Sequence, residues 1–269
     1  MFNFCKIILF VSQILILTAN VCSAQTKNQT DTKGLKQGYW EKKDDVSQKI
    51  IYKGTFKDDK PQGLFFYYYK NSDSIRTKTE FRQAGKMAYV TMYHLSTGKI
   101  QAKGKYLNEE KDSVWNFYDE KGVLISTESY LNGKKNGPSK VFYENGVVSE
   151  EKSFKNGLEE GPFKLLYDDK KVKAEGTYLK GQYNGKCSWY FPNGVAAAQG
   201  YYVNGIKNAV WVFKTQDGKI TDKEVWQNGK QLSPKEAEEF FKKKNISLAE
   251  DTKTPPKPQE KVNNNTPKK

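Results

Sequence analysis

From Gly34 to Lys230, apolar and polar residues alternate in short runs that are broken repeatedly by Asn-Gly or Asp-Gly pairs. Alternation with a period of two marks half-buried strands, and such a pair between two runs marks a hairpin. Pro138 to Glu144 reads as a first strand, Asn145-Gly146 as a tight type I′ turn, and Val147 to Phe154 as the returning strand. Asn156-Gly157 then opens a longer connection that ends at Gly161. The alternation predicts an inner face built from Trp115, Ser139, Phe163, Cys187 and Trp211, then Phe117, Val141, Leu165, Trp189 and Phe213, on first strands. Leu124, Val148, Val172, Ala196 and Ile220 join it from the returning strands.

The unit recurs. Gly133, Gly157, Gly181, Gly205 and Gly229 are each 24 residues apart. Gly98, Gly122, Gly146, Gly194 and Gly218 keep the same step, with Lys170 in the missing place. Tyr106, Tyr130, Phe154, Tyr178, Tyr202 and Trp226 form an aromatic column in the same register, and Phe56 and Phe81 extend it backwards in steps of 25. Such periodicity identifies a repeat array, here of about eight hairpin units. One hairpin alone is too small to be stable, so neighbours must stack and merge their apolar columns. Sixteen strands about 4.8 Å apart would extend roughly 75 Å.

The recurring string is aromatic-x-x-Gly-x-x-x-Gly. It appears as Tyr130…Gly133…Gly137, Phe154…Gly157…Gly161 and Tyr178…Gly181…Gly185, with degenerate copies at Tyr202…Gly205…Ala209 and Phe56…Asp59…Gly63. Together with the later Asn-Gly turn, this resembles the MORN-repeat variant, a family that includes bacterial antitoxin-like MORN-variant proteins. The resemblance covers residues 34–230. It implies an all-β fold, an elongated antiparallel meander of MORN-like β-hairpins, used as an interaction scaffold and without catalytic residues. The Tyr-x-Gly-x-Trp core of standard MORN repeats is not intact here, so an anionic phospholipid ligand does not transfer with the fold.

The ends read differently. Lys6, the apolar run Ile7 to Leu17 and the small residues Cys22-Ser23-Ala24 form a signal peptide over residues 1–24, with cleavage before Gln25. The run is shorter than the ~20 residues of a membrane-spanning anchor. A lipid anchor on Cys22 is disfavoured by Val21 and Asn20 before it. Residues 25–33 are a polar leader. In the segment 231–249, Ser233-Pro234-Lys235-Glu236 starts a short capping helix, with Glu236, Glu238 and Glu239 early and Lys242, Lys243 and Lys244 late. Residues 250–269 form a disordered basic tail rich in Pro and Asn.

Composition narrows the function classes. The single His, His94, makes a His-ligated metal site untenable and removes the commonest general base. Once the signal peptide is gone Cys187 is the one thiol left, so no internal disulfide framework exists. The acidic pairs Asp58-Asp59, Glu109-Glu110, Glu159-Glu160 and Asp168-Asp169 fall at turns and connections, where charge is simply solvated. No catalytic residue, metal site or cofactor is predicted. An enzyme with an unrecognised site is a third reading; it would need one pocket that breaks the repeat symmetry and gathers acidic groups, sought first in the irregular region Tyr67 to Lys86. The aromatic columns are read first as core. Trp115, Phe163, Trp189 and Trp211 are the candidate ligand-stacking rings if part of the ladder is exposed. The net charge of +14 arises from Lys spread through every repeat. The expected partner is therefore another protein, with anionic lipid or cell-envelope glycan on a basic face as the alternative. Nucleic acid is disfavoured for an exported chain, and antitoxin-like neutralisation is a minor reading.

Overall fold

A computed structural model describes residues 26–244. The expected signal peptide, the end of the 231–249 segment and the tail 250–269 lie outside the described residues. The described residues form one 20-stranded antiparallel sheet followed by a helix. The strands are β1 (Gln29–Thr30), β2 (Lys36–Lys43), β3 (Ile50–Lys57), β4 (Lys60–Tyr68), β5 (Ile75–Arg82), β6 (Met87–Tyr93), β7 (Ile100–Leu107), β8 (Glu110–Tyr118), β9 (Leu124–Leu131) and β10 (Lys134–Phe142). They continue as β11 (Val148–Lys155), β12 (Leu158–Glu159), β13 (Gly161–Leu166), β14 (Val172–Leu179), β15 (Gln182–Tyr183), β16 (Gly185–Tyr190), β17 (Ala196–Val203), β18 (Ile206–Lys214), β19 (Ile220–Gln227) and β20 (Lys230–Gln231). Each strand pairs with its sequence neighbours. The short β12 and β15 are the outer ends of the strands that continue as β13 and β16. The result is a meander of eight hairpins, from β2–β3 to β18–β19.

The turns exchange the roles expected for them. Type I′ turns need positive φ at both central residues. Asn156 and Gly157 supply it, with φ of 51° and 89°, and this pair is the two-residue turn between hairpins. At Asn145-Gly146 only the glycine is left-handed, at 79°. Tyr143 N donates to Val147 O at 2.8 Å and Gly146 N to Tyr143 O at 2.9 Å, so this is a three-residue loop closed by a left-handed glycine. The Asn145 side chain accepts from Val147 N at 3.0 Å instead of rotating the backbone. The second glycine of the repeated string, Gly161 at φ 88°, opens β13 directly after Glu160, the residue that separates it from β12.

The early steps of 25 also have a local cause. The loops after β2, β4 and β6 close through Asp44 N to Lys49 O, Tyr69 N to Ser74 O and His94 N to Lys99 O. Each is one residue longer than the loop closed by Asp119 N to Val123 O.

Part of the polar leader joins the sheet. Gln29 and Thr30 pair with Gln37 and Lys36, and Asn28 Oδ1 accepts from Glu41 N at 2.8 Å, which covers the N-terminal edge strand. At the other end, helix α1 spans Pro234–Lys244. Ser233 N donates to Glu236 Oε2 at 2.8 Å and Glu236 N to Ser233 Oγ at 3.4 Å, forming the expected capping box. Phe241 of the helix is buried, as are Tyr201, Val212 and Val225 on the face opposite Trp211.

The core lies along the other face, with one cluster around Trp115 and another around Phe163, Ala174 and Cys187. In β7 and β17, Gly104 and Gly200 lie directly under the rings of Trp115 and Trp211, and a Cβ at either would fall inside the ring. Trp115 Nε1 donates to Lys105 O at 3.1 Å and Trp211 Nε1 to Tyr201 O at 3.3 Å. Tyr106 and Tyr202 meet these indoles edge-on, with ring centres 5.0 Å apart in each pair. Phe65 sits over Gly54 in the same way. A glycine in one strand thus makes room for a ring from the next, which gives a single-layer sheet a dense interior.

Candidate binding cleft

The ring is replaced at three places along this column, by Val90 in β6, Ser139 in β10 and Cys187 in β16, and the first of these also lacks the glycine opposite. Thr79 faces Val90 in β5 and β6, where Phe65 and Trp115 stand in the neighbouring hairpins. Thr79 carries the side-chain atoms that Gly54 and Gly104 lack, so no large ring can lie flat there. The register between β5 and β6 is also unbroken from Thr77↔Met92 to Arg82↔Met87, whereas every other junction between hairpins contains a bulge or break. The residues are taken up instead by a four-residue loop in which Gln83, Ala84 and Gly85 all have positive φ.

The missing ring leaves an open cleft of about 290 Å³. Its floor is Thr79, Ala88, Val90 and Met92, and its aromatic walls are Tyr67, Phe81 and Tyr106. Arg76, Lys86 and Glu109 stand at the rim. Arg76 is the extra residue where Tyr67↔Thr77 gives way to Tyr68↔Ile75, and this bulge turns it toward the cleft. Burial pushes the phenols of Tyr67 and Tyr106 up, partly opposed at Tyr67 by the Arg76 guanidinium. Both are therefore neutral hydroxyls at physiological pH. The cleft can take an apolar group and offer cations to an acid attached to it.

On the same face, Lys111 closes the ladder beside the cleft. Its ammonium lies 4.6 Å from the Trp115 ring centre, 4.8 Å from Tyr130 and 5.1 Å from Phe117. Burial pushes its pKa down. Burial pushes the Glu128 carboxyl up, but hydrogen bonds from Lys135 and Tyr130 outweigh it and the carboxyl ends below its ordinary range. Tyr130 is raised by burial and by its bond to Glu128. These groups neutralise one another beside Trp115.

The candidate stacking rings are distributed as follows. Trp115, Phe163 and Trp211 are 0%, 4% and 3% exposed, and Trp189 is half-buried. Cys187 is fully buried against Gly176, and burial pushes its thiol up. His94 donates from Nε2 to Tyr118 O at 3.0 Å. Tyr69, Tyr143 and Tyr167, at the same position in other hairpins, bond likewise to Tyr93 O, Leu166 O and Tyr190 O. His94 is thus one rung of a series that ties each loop to the next hairpin. Among the described residues, no group of three His, Cys, Asp or Glu could hold a metal ion. No helix among them is long and apolar enough to cross a membrane.

The expected irregular region supplied Tyr67, Arg76, Phe81 and Lys86, but sequence reasoning missed Ala88, Val90, Met92 and Tyr106. The signal was present: Val90 is the one aliphatic residue between Phe65 and Trp115 in a column stepping by 25.

A chain of stacked hairpins that share a core face is a repeat scaffold. The MORN repeat variant family matches residues 135–156 and 183–204, two units separated by one further repeat. These two units are similar to the MORN repeat variant. No curated protein matches the chain. A solved structure of the Photorhabdus luminescens Tc holotoxin pore is similar over 75% of this chain at 12% identity, with a TM-score of 0.18. This chain spans 14% of that chain's length.

Proposed function

We propose that the protein is a non-enzymatic, exported scaffold that binds another protein, seating an apolar side chain of that partner between Phe81 and Tyr106. The observation that carries this reading is the apolar cleft that opens where Val90 and Thr79 replace the ring and glycine of the neighbouring Trp115–Gly104 pair. An aromatic or branched aliphatic side chain suits the floor, and an acidic neighbour on the partner suits Arg76 and Lys86. Antitoxin-like neutralisation is one case of such binding. A flat group stacking elsewhere on the ladder would meet Trp189 first.

The test uses the double substitution T79G/V90W, which recreates the Gly104–Trp115 arrangement and fills the cleft. Wild-type chain used as bait on an envelope extract is expected to retain a specific protein that the filled variant loses. Equal retention by both would remove the cleft from the interface. Recovery of lipid alone would overturn the protein-binding reading.

A further inference from the structure

The face opposite the core holds a second, unrelated pattern. One row of directly paired residues crosses the sheet strand by strand. It begins Glu41, Lys53, Phe66, Lys78, Thr91, Lys103, Asn116, Thr127. It continues Lys140, Glu151, Lys164, Glu175, Ser188, Gln199. In the second half, lysine and glutamate alternate across adjacent strands, and Lys140 Nζ meets Glu151 Oε1 at 2.7 Å. In the first half, Lys53, Lys78 and Lys103 alternate with uncharged residues.

The acids near this first half are already engaged. Glu41 is held by Lys27 and Lys43, Glu80 by Arg82, and Asp112 by Lys105. Among the described residues, no salt bridge involves Lys53, Lys78 or Lys103. Rings stand beside the row. The Lys53 ammonium is 5.6 Å from the Phe66 centre and 5.5 Å from Tyr68, and Lys103 is 5.5 Å from Tyr118. Tyr93 holds the equivalent place beside Lys78, at the end of β6.

Spacing selects the ligand. The three lysines sit on alternate strands, so successive charges are roughly 10 Å apart. Phosphates along a stacked nucleic-acid strand come about every 3.4 Å, which is far denser. An extended polypeptide advances about 3.3–3.6 Å per residue, so it would need an acid at every third position. A headgroup layer is two-dimensional and gives no reason for a single row. An extended glycan with one acid per disaccharide has a charge interval of about this length. It also offers the apolar faces of sugar rings to tyrosines, and its linkages can follow the twist of a sheet.

We propose that Lys53, Lys78 and Lys103, with Tyr68, Tyr93 and Tyr118, form a track for a linear acidic polysaccharide laid across the strands of the first four hairpins. The track lies on the opposite face from the cleft and is independent of it.

Hyaluronan oligosaccharides, with one carboxylate per disaccharide, are the probe, titrated into the full chain at low salt. Binding is expected, and K53Q/K78Q/K103Q should weaken it about tenfold or more, whereas K140Q/K164Q/K186Q should change it less than about twofold. K78Q alone removes an exposed ammonium with no structural bond and should weaken binding about threefold, so the test survives poor folding of the triple variant. T79G/V90W should bind as wild type, which separates this track from the cleft. Equal loss in the two triple variants would overturn the proposal, because diffuse charge would then suffice. So would failure to bind hyaluronan, or equal binding of poly-L-glutamate, oligo(dT) or phosphatidylglycerol vesicles.

Discussion

The junction between the second and third hairpins and the junction between the third and fourth lie side by side in the same sheet and differ at two facing positions. At the later junction, Trp115 lies over Gly104 and is fully buried. At the earlier one, Val90 stands where that indole would be and Thr79 stands where the glycine would be, and a cleft opens. The lesson is that a repeat array forms a site by omission. Where Val90 replaces a ring and Thr79 a glycine, a shaped, apolar space opens that needs no loop or lid. Removal of the ring alone would leave a void. Thr79 partly fills it, which keeps the earlier junction stable while leaving the opening.

The comparison can be broken or sharpened in graded steps. Trp115→Ala should have the largest effect, costing about 3–5 kcal/mol, as expected for a buried Trp. It would open a second cleft at the later junction, measurable by denaturant unfolding. Gly104→Ala comes next, because its methyl would collide with the indole. A loss of about 1–3 kcal/mol is expected, with Trp115 fluorescence altered.

T79G/V90W makes the earlier junction resemble the later one. The glycine costs about 0.5–1 kcal/mol, and the new ring contacts return about 0.5–1.5 kcal/mol beyond burial. Its thermal midpoint should therefore equal or exceed that of wild type. His94→Ala removes the bond that links the third loop to Tyr118 O and should cost about 1 kcal/mol, whereas His94→Tyr should restore the bond. Differential hydrogen exchange at the third and fourth hairpins would read this.

The smallest effect is at the far end. The Glu236 carboxyl is pulled down to about 2, first by Lys230 and then by Ser233. A folded-state value below the unfolded one stabilises the cap above the ordinary glutamate range. That contribution fades as pH falls from about 4.5 toward about 2. The Ser233 amide signal should follow this titration, while the third and fourth hairpins should not.

Much of the fold was legible because its determinants are local and repeated. The aromatic column ending at Trp226 and the 24-residue glycine steps specified hairpins, their number and their order. The turn type was misassigned at Asn145-Gly146 because that pair and Asn156-Gly157 look alike in sequence. Only the backbone reveals that Asn145 uses its side chain while Asn156 takes a positive φ. The cleft was located only to a neighbourhood, since its floor depends on a ring that is absent. The fit of Gly104 beneath Trp115 joins residues of adjacent hairpins, and neither residue alone announces it. The charged row was invisible for a related reason. Lys53, Lys78 and Lys103 look like any other lysines until cross-strand register sets them opposite Phe66, Thr91 and Asn116.

The most direct measurement is the methyl resonance of Met92, at the floor of the cleft, followed while the copurified partner is titrated in. A partner side chain seated between Phe81 and Tyr106 must shift that methyl at saturation, and the shift must vanish in T79G/V90W. Full binding with the Met92 signal unmoved would contradict the account.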